Sequence, residues 1–340
     1  GHDVEVIDYR PHYLIEPYSV FSIKALSHKP NFISLVRCFV TSFLAIPKKT
    51  VRYRGFSSFL KKRIKTAKFV GNKLKLGSYD AYIFGSDQIW NTRLTKGFDN
   101  YFFGIFPFPK EKRLYISYAA SMGNDVLTED KKKFYTKNLC HFDAISVREN
   151  SFKKLLSPLT SKHIEVVLDP SLLASHSVWD KLEDTVKDEN YVLVYQVRGD
   201  LNTLDIAKHI AKQLDAKIVI LPATARLKYQ KWEKIEVSPE KFVSYIKHAR
   251  CVVTTSFHGT AFSVIFNKSF YCIKLDDGED GRSKSLLGML NLDDRMISKS
   301  TRPSFSEIDY SVANLKLEEL REKSLSFLKD SLQTNSNRDK

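Results

Sequence analysis

The feature that most constrains this chain is a rhythm. Short apolar runs rich in Val, Ile and Tyr recur at YDAYIF (79–84), LYISYAA (114–120), DAISV (143–147) and IEVVL (164–168). They recur again at YVLVYQV (191–197), KIVIL (217–221), CVVTT (251–255) and SFYCI (269–273). Between them lie segments of helical character. Residues 128–140 are polar on one face, and LNTLDIAKHIAKQL (201–214) spaces Leu204, Ile206, Ala207, Ile210, Ala211 and Leu214 along one helical side. Ser238-Pro239-Glu240 reads as a helix start, with an N-cap serine, proline at the first position and an acid that suits the dipole. Strands alternating with helices call for crossover connections, hence an α/β architecture with mainly parallel sheets.

The rhythm runs twice. A polar stretch, KLEDTVKDEN (181–190), separates the halves, and 340 residues suffice for two cores. The expected organisation is an N-terminal Rossmann-like domain over 1–180 with a basic helical region at 20–75. A C-terminal Rossmann-like domain over 190–305 follows, then a helix (315–332) and tail within 306–340. Two such halves imply a cleft between them. The opening GHDVEVIDYRP places a glycine directly before a strand, as where a preceding helix closes, so a strand–helix unit is expected upstream.

The net charge of +15 is concentrated. Residues 17–79 hold no acid and 14 cations: Lys24, Lys29, Arg37, Lys48, Lys49, Arg52, Arg54, Lys61, Lys62, Arg63, Lys65, Lys68, Lys73 and Lys75. Two basic amphipathic helices are expected there, at 31–45 and 56–69. One reading is a solvated helical face; the other is a surface for anionic lipid or phosphate-rich substrates. No nucleic-acid-binding motif accompanies the charge, which argues against a nucleic-acid partner. The apolar run 31–47 carries Arg37 near its middle and falls short of a membrane span. Cys38, Cys140, Cys251 and Cys272 are far apart with no C-x-x-C pair, as expected of reduced thiols in a cytoplasmic protein without a metal site.

Polar residues collect at the carboxyl ends of the expected strands, where open α/β sheets bind ligands. They are Asp87, Arg148, Asp169, Arg198 and His258. His258 lies in TTSFHGTAFS (254–263), a turn from strand to helix, where backbone amides converge and favour an anion. Gly259 permits close backbone approach. His258 could donate a hydrogen bond or a proton to such an anion, or could simply cap the helix.

GSDQIWN (85–91), YAASMG, SVREN, LDPSLL, SPEKF, TTSFHGTAFS and GRSKSLLGMLNLDDR (281–295), in this order, resemble the polysaccharide pyruvyl transferase family from residue 1 to roughly 330. GSDQIWN and SFHGTAFS are the specific parts. The resemblance implies a two-domain fold similar to the GT-B glycosyltransferases. It also implies transfer of pyruvate from phosphoenolpyruvate, a donor substrate and not a cofactor, onto two hydroxyls of a sugar as a ketal. His258 matches the motif histidine and is expected in donor binding and acid catalysis, with Ser256, Gly259 and Thr260 around the donor. Some members have an arginine where Ser256 stands, so Arg148 and Arg282 are expected to meet the phosphate charge. The alternatives are ion pairs, of Arg148 with Glu149 or a loop acid and of Arg282 with Asp277 or Asp280. Asp87 could orient or deprotonate the acceptor within a loop of Gly85, Ser86 and Gln88, with Trp90 as a stacking platform for a sugar ring. The acceptor would be a sugar or lipid-linked glycan, and the basic interval would touch the inner face of an anionic membrane. Competing readings are a glycosyltransferase using a nucleotide sugar and a non-catalytic fragment.

Overall fold

The computed structural model describes residues 1–15, 43, 46–67, 79–106, 110, 113–123, 126–197, 200–222, 238–276, 278 and 280–333. The expected helix at 31–45, apart from residue 43, and Arg198 lie outside the described residues. The strands in chain order are β1 (Val6–Ile7), β2 (Thr66–Ala67), β3 (Ala81–Phe84), β4 (Leu114–Ala120), β5 (Ala144–Val147) and β6 (Ile164–Val166). They continue with β7 (Tyr191–Gln196), β8 (Lys217–Pro222), β9 (Cys251–Thr254), β10 (Phe270–Ile273) and β11 (Met296–Ile297). The α/β expectation holds: β3 to β6 and β7 to β10 pair in parallel throughout.

The chain forms two compact units, each assembled from separated segments. The first comprises Gly1–Val70, His176–Ile273 and Ile297–Ile308; the second comprises Gly71–Ser175, Lys274–Met296 and Asp309–Lys340. A single cut near residue 180 would keep 1–70 with 71–175, whereas the compact units group 1–70 with 176–273.

In the first unit the strand order β11-β10-β9-β7-β8 reverses direction about β7. The chain goes from β7 to β8 on one side, then back across to β9 on the other. Open α/β sheets bind ligands at such a reversal, which here falls at the carboxyl ends of β7 and β9. Helix Leu201–Gln213 forms because Asp200 accepts from Thr203 N at 3.0 Å at its start and an apolar stripe follows. That stripe buries Leu204, Ile206, Ala207, Ile210 and Ala211 against Val192, Val194, Ile220, Cys251 and Val253. Each leucine or isoleucine of the stripe contributes roughly 1.5–3 kcal/mol. Helix Pro239–His248 begins as expected, Ser238 Oγ accepting from Lys241 N at 3.2 Å.

The basic helix differs from expectation. It runs Ile46–Arg63, not 56–69, because Pro47 is tolerated in a first helical turn and Thr66–Ala67 is drawn into a parallel pair with β1.

The second unit carries the four-stranded sheet β3-β4-β5-β6. An aromatic core lies against it, built on Trp90, Phe103, Tyr135, Phe142 and Phe152. The C-terminal helix Ser311–Gln333 is tied to the far end of this sheet. Ser324 Oγ accepts from Leu168 N at 2.9 Å, Arg321 Nε donates to Leu172 O at 3.0 Å, and Phe327 and Leu328 pack on Tyr118, Ala119 and Val167. Among the described residues no helix is long and apolar enough to cross a membrane.

Candidate functional site

Four strand ends of the second unit deliver one polar cluster. After β3 the chain turns through Gly85, whose φ of 145° and position suit only glycine, since a Cβ would stand 1.9 Å from Tyr118 O. Asp87 follows with φ 61°, and its carbonyl accepts from Ser121 N at 2.9 Å, pinning the loop to the end of β4. Asp87 and Gly85 are exposed, while Ser86 and Gln88 are half-buried beside them.

Arg148, directly after β5, is the centre of the cluster and only 3% exposed. Its Nη1 donates to Asp169 Oδ2 at 2.6 Å, its Nη2 to Asp87 Oδ1 at 3.2 Å and its Nε to Glu149 Oε1 at 3.4 Å. Burial acts to lower the Arg148 pKa, but Glu149, Asp169 and Asp87 outweigh it and hold the guanidinium charged. Asp169, after β6, is equally buried and also caps helix Pro170–Leu173, Oδ1 accepting from Ser171 N at 3.0 Å and Ser171 Oγ at 2.7 Å. Glu149 Oε1 accepts from Ser121 Oγ at 2.7 Å.

Arg282 enters this cluster from helix Gly281–Met289. Its Nη1 lies 3.6 Å from Asp87 Oδ1. With the Gln88 amide turned oxygen-first, that oxygen accepts from Arg282 Nη2 and Nη1 at 2.9 and 3.0 Å. Arg282 therefore faces Asp87 and Gln88, and its side chain retains 16% exposure.

The second candidate locus is the turn after β9 in the first unit, at the carboxyl end where the strand order reverses. Thr254 Oγ1 donates to Tyr195 O at 2.7 Å and accepts from Ser256 N at 3.0 Å, fixing the turn to β7. Ser256 is the N-cap of helix Phe257–Ile265. Its Oγ accepts from Gly259 N at 3.4 Å, and its carbonyl accepts from Thr260 N at 3.0 Å and Thr260 Oγ1 at 3.1 Å. Gly259 is needed for packing inside the turn, since a Cβ would lie 2.3 Å from Thr254 Oγ1. His258 is half-buried, with its ring edge-on to Phe257 at 5.3 Å.

These geometries correct three expectations. Trp90 is 1% exposed, stacked on Phe103 at 5.1 Å with Nε1 donating to Phe102 O at 3.0 Å, so it is a core residue with no face open to a sugar. Arg148 is enclosed by its own carboxylates, which is the ion-pair alternative; burial removes it from direct contact with a donor. The amides of Gly259 and Thr260, expected to meet an anion, already donate to Ser256, so the turn offers the His258 side chain instead. Ser121, Glu149 and Asp169 belong to the cluster without having been selected as site residues. Asp169 had a signal in its strand-end position before Pro-Ser and Glu149 in its place beside Arg148, whereas Ser121 had none beyond directly following β4.

Parallel sheets with polar groups gathered at their carboxyl ends define an α/β protein of the kind that binds ligands beyond its strands. The polysaccharide pyruvyl transferase family model matches residues 1–277, and the chain belongs to that family, a family of transferases. The segment 281–295 lies past the matched residues. No curated protein matches the chain. Among solved structures, the wall teichoic acid polymerase TagF is similar at 11% identity and TM-score 0.35, over 66% of this chain and 63% of TagF. UDP-N-acetylglucosamine 2-epimerase from Rickettsia bellii is similar at 13% identity and TM-score 0.35, over 97% of this chain and 91% of that one.

Proposed function

We propose that this chain transfers the pyruvyl group of phosphoenolpyruvate onto two hydroxyls of a sugar in a polysaccharide or its precursor. The observation that carries the reading is the family match together with His258 at the turn where its sheet reverses order. Phosphoenolpyruvate is small and densely anionic, so its recognition calls for a protonatable or hydrogen-bonding side chain at such a strand end. In the proposed reaction His258 gives a proton to the methylene carbon, leaving an oxocarbenium-like centre. A sugar hydroxyl adds to that centre as its proton leaves to a base. Phosphate then departs, and a second hydroxyl closes the ketal. Asp87 is exposed and ionically paired with Arg148 and Arg282, which suits a carboxylate that orients or deprotonates the acceptor hydroxyl.

Incubating the protein with phosphoenolpyruvate and candidate glycans, then measuring released phosphate and the mass of the glycan, tests this. Phosphate release coupled to a pyruvyl mass gain supports it. A glycan that instead gains a sugar from a nucleotide sugar, with phosphoenolpyruvate inert, overturns it.

The basic interval supports a peripheral contact with an anionic membrane. Helix Ile46–Arg63 contains no acid, and Tyr53, Phe56 and Leu60, spaced to share one face, are exposed near Arg54 and Lys61. Each cation near an anionic surface contributes about 1 kcal/mol. Sedimentation with anionic vesicles at low salt, lost at high salt, is the expected result. Equal pelleting with neutral vesicles removes this contact from the proposal.

A further inference from the structure

The geometry points to the buried hydroxyl of Thr254 as the group that aims His258, which makes Thr254 a positioning residue of the donor site; this rests on His258 meeting the donor, as proposed. Among the described residues His258 makes no hydrogen bond or ion pair, and its ring meets only the edge-on Phe257 at 5.3 Å. A histidine that acts on a ligand is ordinarily oriented by a bond to its other ring nitrogen. With no such bond among the described residues, the direction of the imidazole is set by the backbone that carries it. His258 is the second residue of helix Phe257–Ile265, and only Thr255 and the N-cap Ser256 separate that helix from β9. How those two residues turn decides where the ring points.

Thr254 fixes that turn. It is the last residue of β9, fully buried, in register with Tyr195 of β7 on one side and Cys272 of β10 on the other. Its Oγ1 donates to Tyr195 O at 2.7 Å, a carbonyl that also accepts from Thr255 N at 3.3 Å. The same oxygen accepts from Ser256 N at 3.0 Å, so one hydroxyl joins the end of β7 to the N-cap of the helix. The side chain is stiff, because threonine is branched at Cβ and its hydroxyl both donates and accepts. Seated in this way it fills the space over Gly259, where a Cβ would stand 2.3 Å from Oγ1 and 3.2 Å from Cγ2. The strand end therefore grips the chain on both sides of His258, at Ser256 and at Gly259. Aromatic packing holds the base: Tyr195 lies edge-on to Phe242 at 4.8 Å, and Phe242 to Phe262 of the same helix at 5.4 Å. Without the oxygen, the Ser256 N–H would be buried with no acceptor, and the turn would shift to find one. A displacement of about 1 Å at a reacting group can lower a rate about 100-fold.

Two variants separate the hydroxyl from the shape. Thr254→Val keeps the branched outline and loses the oxygen, whereas Thr254→Ser keeps the oxygen and loses the methyl. Carbon–proton NMR of the imidazoles, with His258 assigned by its absence in His258→Ala, reports the surroundings of the ring without any ligand. Calorimetric titration of phosphoenolpyruvate reports the site. The Val variant should move the His258 signal, leave that of the exposed His209 in place, and bind phosphoenolpyruvate about tenfold or more weakly. The Ser variant should keep the wild-type signal and bind within about threefold of wild type. A His258 signal unmoved in the Val variant, or moved equally in both, overturns the inference, as does a Val variant that binds phosphoenolpyruvate as tightly as wild type. So do Val and Thr254→Ala chains that both fail to fold, since the hydroxyl then serves the fold alone. A wild-type protein that does not bind phosphoenolpyruvate instead removes the donor-site reading, and the ligand-free signals then decide by themselves whether Thr254 aims His258.

Discussion

Replacing Arg148 by Met removes the charge at the centre of the strand-end cluster while keeping most of its volume. The cost is set by what is left behind. Asp169 is 3% exposed and would lose a counter-charge at 2.6 Å, keeping only its bonds from Ser171. Asp87 is 58% exposed and regains water, so its lost pair contributes roughly 0–1 kcal/mol. Glu149 keeps the Ser121 hydroxyl at 2.7 Å and loses only a 3.4 Å contact. The total is therefore dominated by one uncompensated buried carboxylate, about 3–5 kcal/mol. Urea denaturation followed by circular dichroism measures it. Adding Asp169→Leu to the Met variant should return part of the loss, because the stranded charge goes with it. The two changes should couple by about 1–3 kcal/mol, even though Leu also removes the helix cap. A loss below about 1 kcal/mol for Arg148→Met, or strict additivity of the pair, would refute the view that Arg148 and Asp169 are a buried ion pair.

Trp90→Ala should destabilise the second unit by about 3–5 kcal/mol, as large-to-small changes in cores do, read by the same denaturation. A folded variant of undiminished stability would return Trp90 to the surface. Gly259→Ala should cost about 1–3 kcal/mol through its clash with Thr254 Oγ1, and Thr254→Ala should relieve part of this. Glu165 is held down to about 2: burial opposes this, but Lys323 and His163 prevail. Its contribution is thus present above the ordinary carboxyl value and lost as pH falls towards 2. The stability gap between wild type and Glu165→Gln should shrink over that interval, and a gap independent of pH would contradict the assignment.

Strands β3 to β10 and their parallel pairing were legible because each is a short apolar run bounded by polar residues, whereas β2 lay inside an expected helix and β11 was not expected. LYISYAA became β4 without adjustment, and Ser238-Pro239 began its helix as read. The basic helix was misplaced because its apolar residues are sparse and Pro47 resembles a boundary when it is a tolerated first-turn residue. At the candidate site, positions were legible and partners were not. The sequence places Asp87, Arg148 and Asp169 after strands, but only the parallel order β3-β4-β5-β6 brings them onto one guanidinium. Trp90 misled for a related reason: an aromatic in a polar loop can face solvent or turn inward, and the aromatic core beneath it decides.

The measurement that bears most directly on the central claim is calorimetric titration of phosphoenolpyruvate into the wild-type protein and into His258→Ala. The account predicts saturable binding that inorganic phosphate competes away and that falls tenfold or more in the variant, about 1.4 kcal/mol or more. His258→Gln, which keeps a hydrogen-bond donor, should retain part of it. Phosphoenolpyruvate that binds both proteins equally, or binds neither while a nucleotide sugar binds the wild type, would contradict the account.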